Sequence, residues 1–315
     1  MEDKLQPKRF NNDSLSEWTS IDKGAFGFVY KAWHEKMGHY VAIKLLNDVS
    51  LETTLLNEAK FQNVFSCQNV LRIYGIYEGT PPDEQVKQKG MVMEFMKRGS
   101  VKTLCKNLSG PPPFVLACRL IHEVALGMRF LHSEGFLHRD LKPQNVMLSD
   151  DLHAKLADFG LCVLSITSSN NQEGTSNQNE KRNAGSFKYM PPEAFNVDYK
   201  PARSFDVYSF AIFIWTILSG KEPYPIANEN RVKKQVCKGQ RPTLVDLSKK
   251  DTAEMKDFLD LMEKCWEGDP KKRPTFEEIT PMVQKMYLKH EGEIHDEVCK
   301  VLKKLARKEN VKKIN

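Results

Sequence analysis

The spacing of apolar and polar positions changes twice along this chain, and the changes divide it. Residues 18–23, 28–33 and 39–46 alternate or run apolar, rich in β-branched and aromatic side chains, and are separated by Gly24, Gly27 and Gly38. That pattern predicts three strands joined by hairpins. Residues 51–65 switch to helical spacing, with Leu51, Leu55 and Ala59 in one row and Leu56 behind it. Two more strands are predicted at 70–77 and 91–95, separated by a charged loop containing Pro81 and Pro82. From Gly99 onward the pattern is helical. Residues 100–108 form a short helix with Ser100 as its cap, and 114–134 a long amphipathic one ending at Gly135. Residues 205–219 are apolar nearly all round and stop at Gly220, the mark of a buried helix. Helices follow at 229–238, 254–266 and 276–287.

This order predicts an α+β fold of two lobes. A small antiparallel β lobe spans 18–95, a linker 94–99, and a larger, mainly helical lobe 100–288. A cleft between two such lobes is a common place for a ligand. Residues 1–17 read as a flexible polar extension, apart from Phe10 and Leu15. Residues 165–182, dense in Ser, Asn, Gln and Thr, read as a mobile loop. The end, 289–315, reads as a basic amphipathic helix with Ile294, Val298, Val301, Leu302 and Leu305 on one face. That stripe either packs on the helical lobe or offers a partner-binding surface.

Composition narrows the function classes. Of 315 residues, 40% are hydrophobic and 28% charged, the balance of an ordinary globular protein. The net charge of +6 is modest and its lysines are interleaved with acids, so no nucleic-acid partner is expected. The longest apolar run is too short for a membrane span, and the polar start carries no secretory signal. Seven cysteines without paired spacing fit reduced thiols in a reducing compartment.

The chemistry concentrates at 138–160. Val146, Met147 and Leu148 can pair with Ala154, Lys155, Leu156 and Ala157 across the turn Ser149, Asp150, Asp151. Pairing returns Asn145 and Asp158 to one end of the hairpin, as two oxygen ligands for a hard cation such as Mg²⁺ or Mn²⁺. Asp140 stands one loop away as a base for a hydroxyl, with Lys142 beside it to stabilise phosphoryl charge. Upstream, Ile21, Asp22, Lys23, Gly24, Ala25, Phe26, Gly27, Phe28 and Val29 form a glycine-rich strand–turn–strand. There the backbone can approach phosphates closely. Lys44 follows on the third predicted strand, with Glu58 as its expected partner and Glu52 as the alternative. Arg273 is a bidentate candidate for Glu193. Asp206 is expected to cap its helix and to brace the catalytic loop. Ser165, Thr167, Ser168, Ser169, Thr175 and Ser176 are candidate phosphorylation sites, with Arg139 placed to pair with a phosphate there.

With these motifs the chain resembles the protein kinase family over about residues 18–287. They are the glycine loop, Val-Ala-Ile-Lys at 41–44, His-Arg-Asp-Leu-Lys-Pro-Gln-Asn at 138–145, Asp-Phe-Gly at 158–160 and Pro-Pro-Glu at 191–193. The resemblance implies Mg²⁺ and ATP as cofactors, Ser/Thr-bearing protein substrates, Met93 as gatekeeper, and Glu94 to Met96 as the adenine-binding hinge. It also implies that Val29, Ala42 and Met147 sandwich the adenine. Lys142 and the Gly185, Ser186 pair resemble the Ser/Thr branch. Within kinases, residues 119–128, 152–161, 206–211 and 221–224 resemble the receptor-interacting kinases. That implies cytoplasmic inflammatory or cell-death signalling, autophosphorylation, and family-like signalling partners or self-association. Three positions depart from the common pattern. Asp22 stands where the first loop glycine is usual, Gln62 where an apolar residue is usual, and Pro191 where alanine is usual. Asp22 and Gln62 motivate the alternative of a kinase-fold scaffold with little activity.

Overall fold

The structure is a computed structural model, and it describes residues 8–24, 27–45, 67–158, 163–164, 186–249 and 252–314. Ala25, Phe26, Phe159, Gly160, Gly185, the predicted helix 51–65 with Glu52, Glu58 and Gln62, and the segment 165–182 lie outside these residues. For Asp22, Lys23, Gly24, Gly27 and Ser186 only the backbone is described. The chain divides into two compact units, Met1–Lys97 and Arg98–Asn315.

The first unit holds a six-stranded sheet. Its strands are β1 (Arg9–Phe10), β2 (Leu15–Gly24), β3 (Gly27–His34), β4 (His39–Leu45), β5 (Ile73–Gly79) and β6 (Gln88–Glu94), in the order β1-β5-β6-β4-β3-β2. All neighbours are antiparallel except β1 and β5. The period of two sends Tyr30, Ala32, Val41, Ile43 and Val92 to one face, where they join Phe10, Leu15, Leu45 and Tyr77 in a buried core. Three differences from the sequence expectation stand out. Residues 8–17 are not an open extension, because Arg9 and Phe10 pair with Ile76 and Tyr77. β2 begins at Leu15, three residues earlier than predicted. β5 begins only at Ile73, and a register shift interrupts its pairing between Ile73 and Gly75.

The second unit is mainly helical, with eight helices among the described residues. They are α1 (Val101–Leu108), α2 (Phe114–Ser133), α3 (Arg203–Ser219), α4 (Glu229–Cys237), α5 (Val245–Ser248), α6 (Ala253–Cys265), α7 (Phe276–Leu288) and α8 (Ile294–Ile314). The helix starts carry side chains that satisfy their first free backbone amides. Ser100 accepts from the Thr103 amide, Asn228 from Arg231 and Thr252 from Met255, while Thr275 and Glu278 form a capping box. α3 is buried on almost every side and ends at Gly220 in the left-handed conformation. Phe210 on α3 meets Phe276 of α7 edge to face at 5.3 Å. α2 packs against α7, and α3 against α6. α8 lies on α1 and α2, with Val298, Val301 and Leu305 buried. Lys308 Nζ donates to the Asn107 carbonyl at 2.6 Å. The apolar stripe of the terminal helix is therefore spent on its own unit. Four short strands complete this unit. β7 (Phe136–Leu137) pairs with β10 (Val163–Leu164), and β8 (Val146–Leu148) with β9 (Ala154–Leu156).

Candidate active site

β8 and β9 pair as the hairpin expected from the sequence, with Val146 opposite Leu156 and Leu148 opposite Ala154. The ladder ends where the Ala157 amide donates to the Asn145 carbonyl at 2.8 Å, so Asn145 and Asp158 flank one end of the hairpin. The turn at the other end is held by α2. Arg119 donates to the carbonyls of Asp151 and Leu152 at 2.8 and 2.9 Å, and Glu123 accepts from the Ala154 amide at 2.6 Å and from His153. Arg119 and Glu123 stand four residues apart on one helix face, a spacing visible in the sequence but there indistinguishable from a surface ion pair.

Between β7 and β8 runs the loop that carries Asp140. Its carboxylate is buried, 6% exposed, and sits among donors. Lys142 Nζ lies 2.6 Å from Oδ2, and Asn145 Nδ2 donates to the same oxygen at 2.8 Å and to the Asp140 carbonyl at 2.9 Å. Asn145 thus uses its amide nitrogen to hold Asp140, which leaves its amide oxygen as the atom able to face a cation. His138, wholly buried, ties the loop to the hairpin. Its Nδ1 accepts from the Asp140 amide at 3.3 Å, so Nε2 carries the proton and donates to the Ala157 carbonyl at 3.2 Å.

A single carboxylate anchors this loop. Asp206, in the first turn of α3 and with no exposure, accepts from the His138 amide at 2.9 Å, the Arg139 amide at 2.7 Å and His132 Nε2 at 2.8 Å. It braces the loop as expected but does not cap α3, whose N-cap residue Ala202 makes no side-chain bond. Burial pushes the Asp206 carboxyl upward, but the His132 hydrogen bond, the electrostatic influence of the His132 and His138 rings and the Arg139 amide outweigh it and hold it below the ordinary range. The loop needs such an anchor. Arg139 and Asp158 both sit at φ 65°, the left-handed region that non-glycine residues adopt only when their surroundings impose it. Nothing in the sequence marks His132 and His138 as Asp206's partners. Their partner lies 74 and 68 residues away, and no local signal marks it.

Arg273 and Glu193 meet as predicted. The guanidinium, fully buried, donates to both carboxylate oxygens at 2.6 and 2.9 Å, and also to the carbonyls of Glu267 and Ser204.

In the sheet unit, register places the other candidates on one face. Val29 pairs with Lys44 and Lys44 with Met91, while Ala42 pairs with Met93. Val29, Ala42, Lys44 and Met93 therefore share the face opposite the apolar core. Lys44 is half-buried there, Phe28 and Val29 also half-buried, and Ile21 is exposed at a bulge of β2. Glu94 ends β6, and Met96 is buried. Met147 lies at the centre of β8, bridged to Ser100.

A sheet unit with a glycine-rich hairpin and a strand lysine, followed by a helical unit carrying a braced Asp-Lys-Asn loop, is the organisation of an enzyme that handles phosphates. The chain belongs to the protein tyrosine and serine/threonine kinase family, whose model matches residues 15–283. It is 36% identical over 295 residues to receptor-interacting serine/threonine-protein kinase 3 of Homo sapiens, covering 92% of this chain and 55% of that protein. It is 33% identical over 318 residues to receptor-interacting serine/threonine-protein kinase 1 of Homo sapiens, covering 96% and 45%. Ankyrin repeat and protein kinase domain-containing protein 1 of Mus musculus is 36% identical over 304 residues, covering 92% and 38%. The chain thus spans about half the length, or less, of these curated relatives. Among the described residues no helix is long and apolar enough to cross a membrane.

Proposed function

We propose that this chain transfers the γ-phosphoryl group of Mg·ATP to serine and threonine hydroxyls of proteins. The observation that carries this reading is the buried Asp140 carboxylate, gripped by Lys142 and Asn145 on a loop whose backbone hangs from Asp206. The substrate hydroxyl oxygen forms a bond to the γ-phosphorus, the bond to the β-phosphate oxygen breaks, ADP leaves, and the hydroxyl proton passes to Asp140 Oδ. Lys142 keeps the carboxylate aimed and sets positive charge beside the transferring group. Lys44 is assigned to the nucleotide phosphates, with Glu58 as its partner, and the glycine hairpin, Met93, Glu94, Met96 and Met147 to the rest of the nucleotide.

The donor set fits Mg²⁺ or Mn²⁺. Asn145 offers an amide oxygen and Asp158 a carboxylate at the hairpin end, and Mg²⁺ takes one or two such ligands together with substrate phosphates. When bound, the cation supplies charge neutralisation on the phosphates.

The resemblance to receptor-interacting kinases extends the proposal to cytoplasmic inflammatory or cell-death signalling and to autophosphorylation within 165–182. The test is phosphate incorporation by the purified chain and by Asp140→Asn. The variant is expected to lose about 10²- to 10⁴-fold in rate. Equal incorporation by both removes Asp140 from the chemistry, and no turnover by the unaltered chain favours the scaffold reading. Peptide mapping after ATP incubation that finds no phosphate between Asp158 and Glu193 rejects the autophosphorylation site.

A further inference from the structure

The segment 8–14 precedes the region the kinase family model matches, which begins at residue 15. It is nevertheless built into the sheet. Arg9 and Phe10 extend the sheet beyond β5 in parallel, and the Ile76 amide donates to the Lys8 carbonyl at 2.8 Å. Phe10 is only 4% exposed, inside the core, with its ring edge to face with His34 at 5.3 Å. Asn12 bonds at both ends of its amide. Its Oδ1 accepts from the buried Tyr77 hydroxyl at 2.6 Å, and its Nδ2 donates to the Thr80 carbonyl.

β5 is shaped to receive this arm. A Cβ at Gly75 would lie 2.0 Å from the Lys8 carbonyl oxygen and 2.9 Å from the Phe10 ring. A Cβ at Gly79 would lie 2.2 Å from Asn12 Oδ1. Two glycines on one strand, each vacating space that the arm fills, make the seat specific to this segment.

The far side of β5 touches the proposed nucleotide strand. Ile73 pairs with Met93, and the register shift that follows ends at Gly75 against Val92. Arg72, just before β5, holds Glu94: the Glu94 amide donates to the Arg72 carbonyl at 2.9 Å. The arm therefore borders the irregular stretch of β5 that pairs with Met93, next to the Arg72 carbonyl that accepts from the Glu94 amide.

We propose that Phe10 and Asn12 are positioning residues for the nucleotide, acting through Gly75 and β5 on Met93 and Glu94. This rests on the assignment of Met93 and Glu94 to nucleotide binding. The arm acts as a latch outside the shared family region, and nucleotide affinity depends on it. Asn12→Ala leaves the buried Tyr77 hydroxyl and the Thr80 carbonyl without their partner, and so frees the arm. Phe10→Leu keeps an apolar plug in the seat.

The experiment uses the full chain and measures KM for ATP, kcat and amide hydrogen exchange in the unaltered protein, Asn12→Ala, Phe10→Ala and Phe10→Leu. Asn12→Ala is expected to raise KM about three- to tenfold, the size of one lost hydrogen bond, and Phe10→Ala, which empties the seat, to raise it as well, with kcat held in both. Phe10→Leu recovers most of the loss. Exchange at the Ile76 and Glu94 amides quickens together in the two alanine variants. A fall in kcat with KM unchanged means a merely structural arm and overturns the proposal, as does faster exchange at Ile76 with Glu94 still protected. Should the unaltered chain bind no nucleotide, the functional reading fails. The paired exchange at Ile76 and Glu94 still decides whether the arm governs the strand.

Discussion

Asp206 shows how much one buried side chain can carry. Three donors converge on a carboxylate with no exposure, and two of them are backbone amides of the loop that carries Asp140. Asp206→Asn keeps the volume but replaces one acceptor oxygen with a donor, which then faces a donor. Unfolding free energy is expected to fall by about 1–3 kcal/mol, the cost of an orphaned buried amide, and phosphate incorporation to fall with it. Urea denaturation beside the activity assay checks both. Two buried imidazoles give a pH dependence at the same scale. Burial holds His34 below the ordinary imidazole value, with Lys8, His39 and Lys36 adding to the effect, and burial lowers His122 likewise, with Arg129 adding to it. A group whose folded pKa is depressed binds its proton more readily in the unfolded chain. Stability is therefore full above the unfolded value of about 6.5 and is lost as pH falls from there through the folded values. Urea midpoints between pH 7.5 and 5 should fall, and the slope should flatten in His122→Gln. A midpoint independent of pH in this window contradicts the burial of both rings.

At the scale of elements, what could be read in the sequence followed locality. The β8–β9 hairpin, with its short apolar runs and Ser149-Asp150-Asp151 turn, could be read as a pair of strands that returns Asn145 and Asp158 to one end, while its register comes from the structure. α3 could be recognised because it lacks a polar face, and α8 because it has one apolar stripe. Which surface α8 covers could not be read, since amphipathicity names a buried face and not its partner. The structure supplies α1 and α2. Leu305→Ala should therefore cost about 2–5 kcal/mol of stability, the range for a buried leucine, with no change in oligomeric state. Light scattering beside thermal unfolding separates this from an oligomerising helix, for which size would change instead. The Arg273–Glu193 pair was readable as a charge match between two apolar-flanked segments. Its two extra carbonyl bonds were not, because backbone acceptors carry no sequence mark. Arg273→Ala strands a mostly buried carboxylate and should lower unfolding free energy by about 3–5 kcal/mol.

For the whole molecule, composition and period separated a sheet unit from a helical one, and the motif order assigns most candidate nucleotide groups to the first and the candidate transfer groups to the second. The short arm escaped that reading. A two-residue strand has too few positions to show a period, and its seat depends on two glycines more than sixty residues downstream. Function at this scale has its own signature. A ligand that binds only the folded chain stabilises it by RT ln(1 + [L]/Kd), about 2.7 kcal/mol at a hundredfold excess over Kd. Thermal unfolding with ATP and Mg²⁺ should show that gain, and EDTA should remove most of it. Asp158→Asn should weaken the EDTA-sensitive part, because it removes the one carboxylate assigned to the cation. Asp140→Asn should keep the gain while losing turnover, since Asp140 is assigned to the hydroxyl proton and not to the nucleotide. A gain that survives EDTA in full, or that Asp140→Asn abolishes and Asp158→Asn leaves untouched, reverses the two roles assigned to these carboxylates.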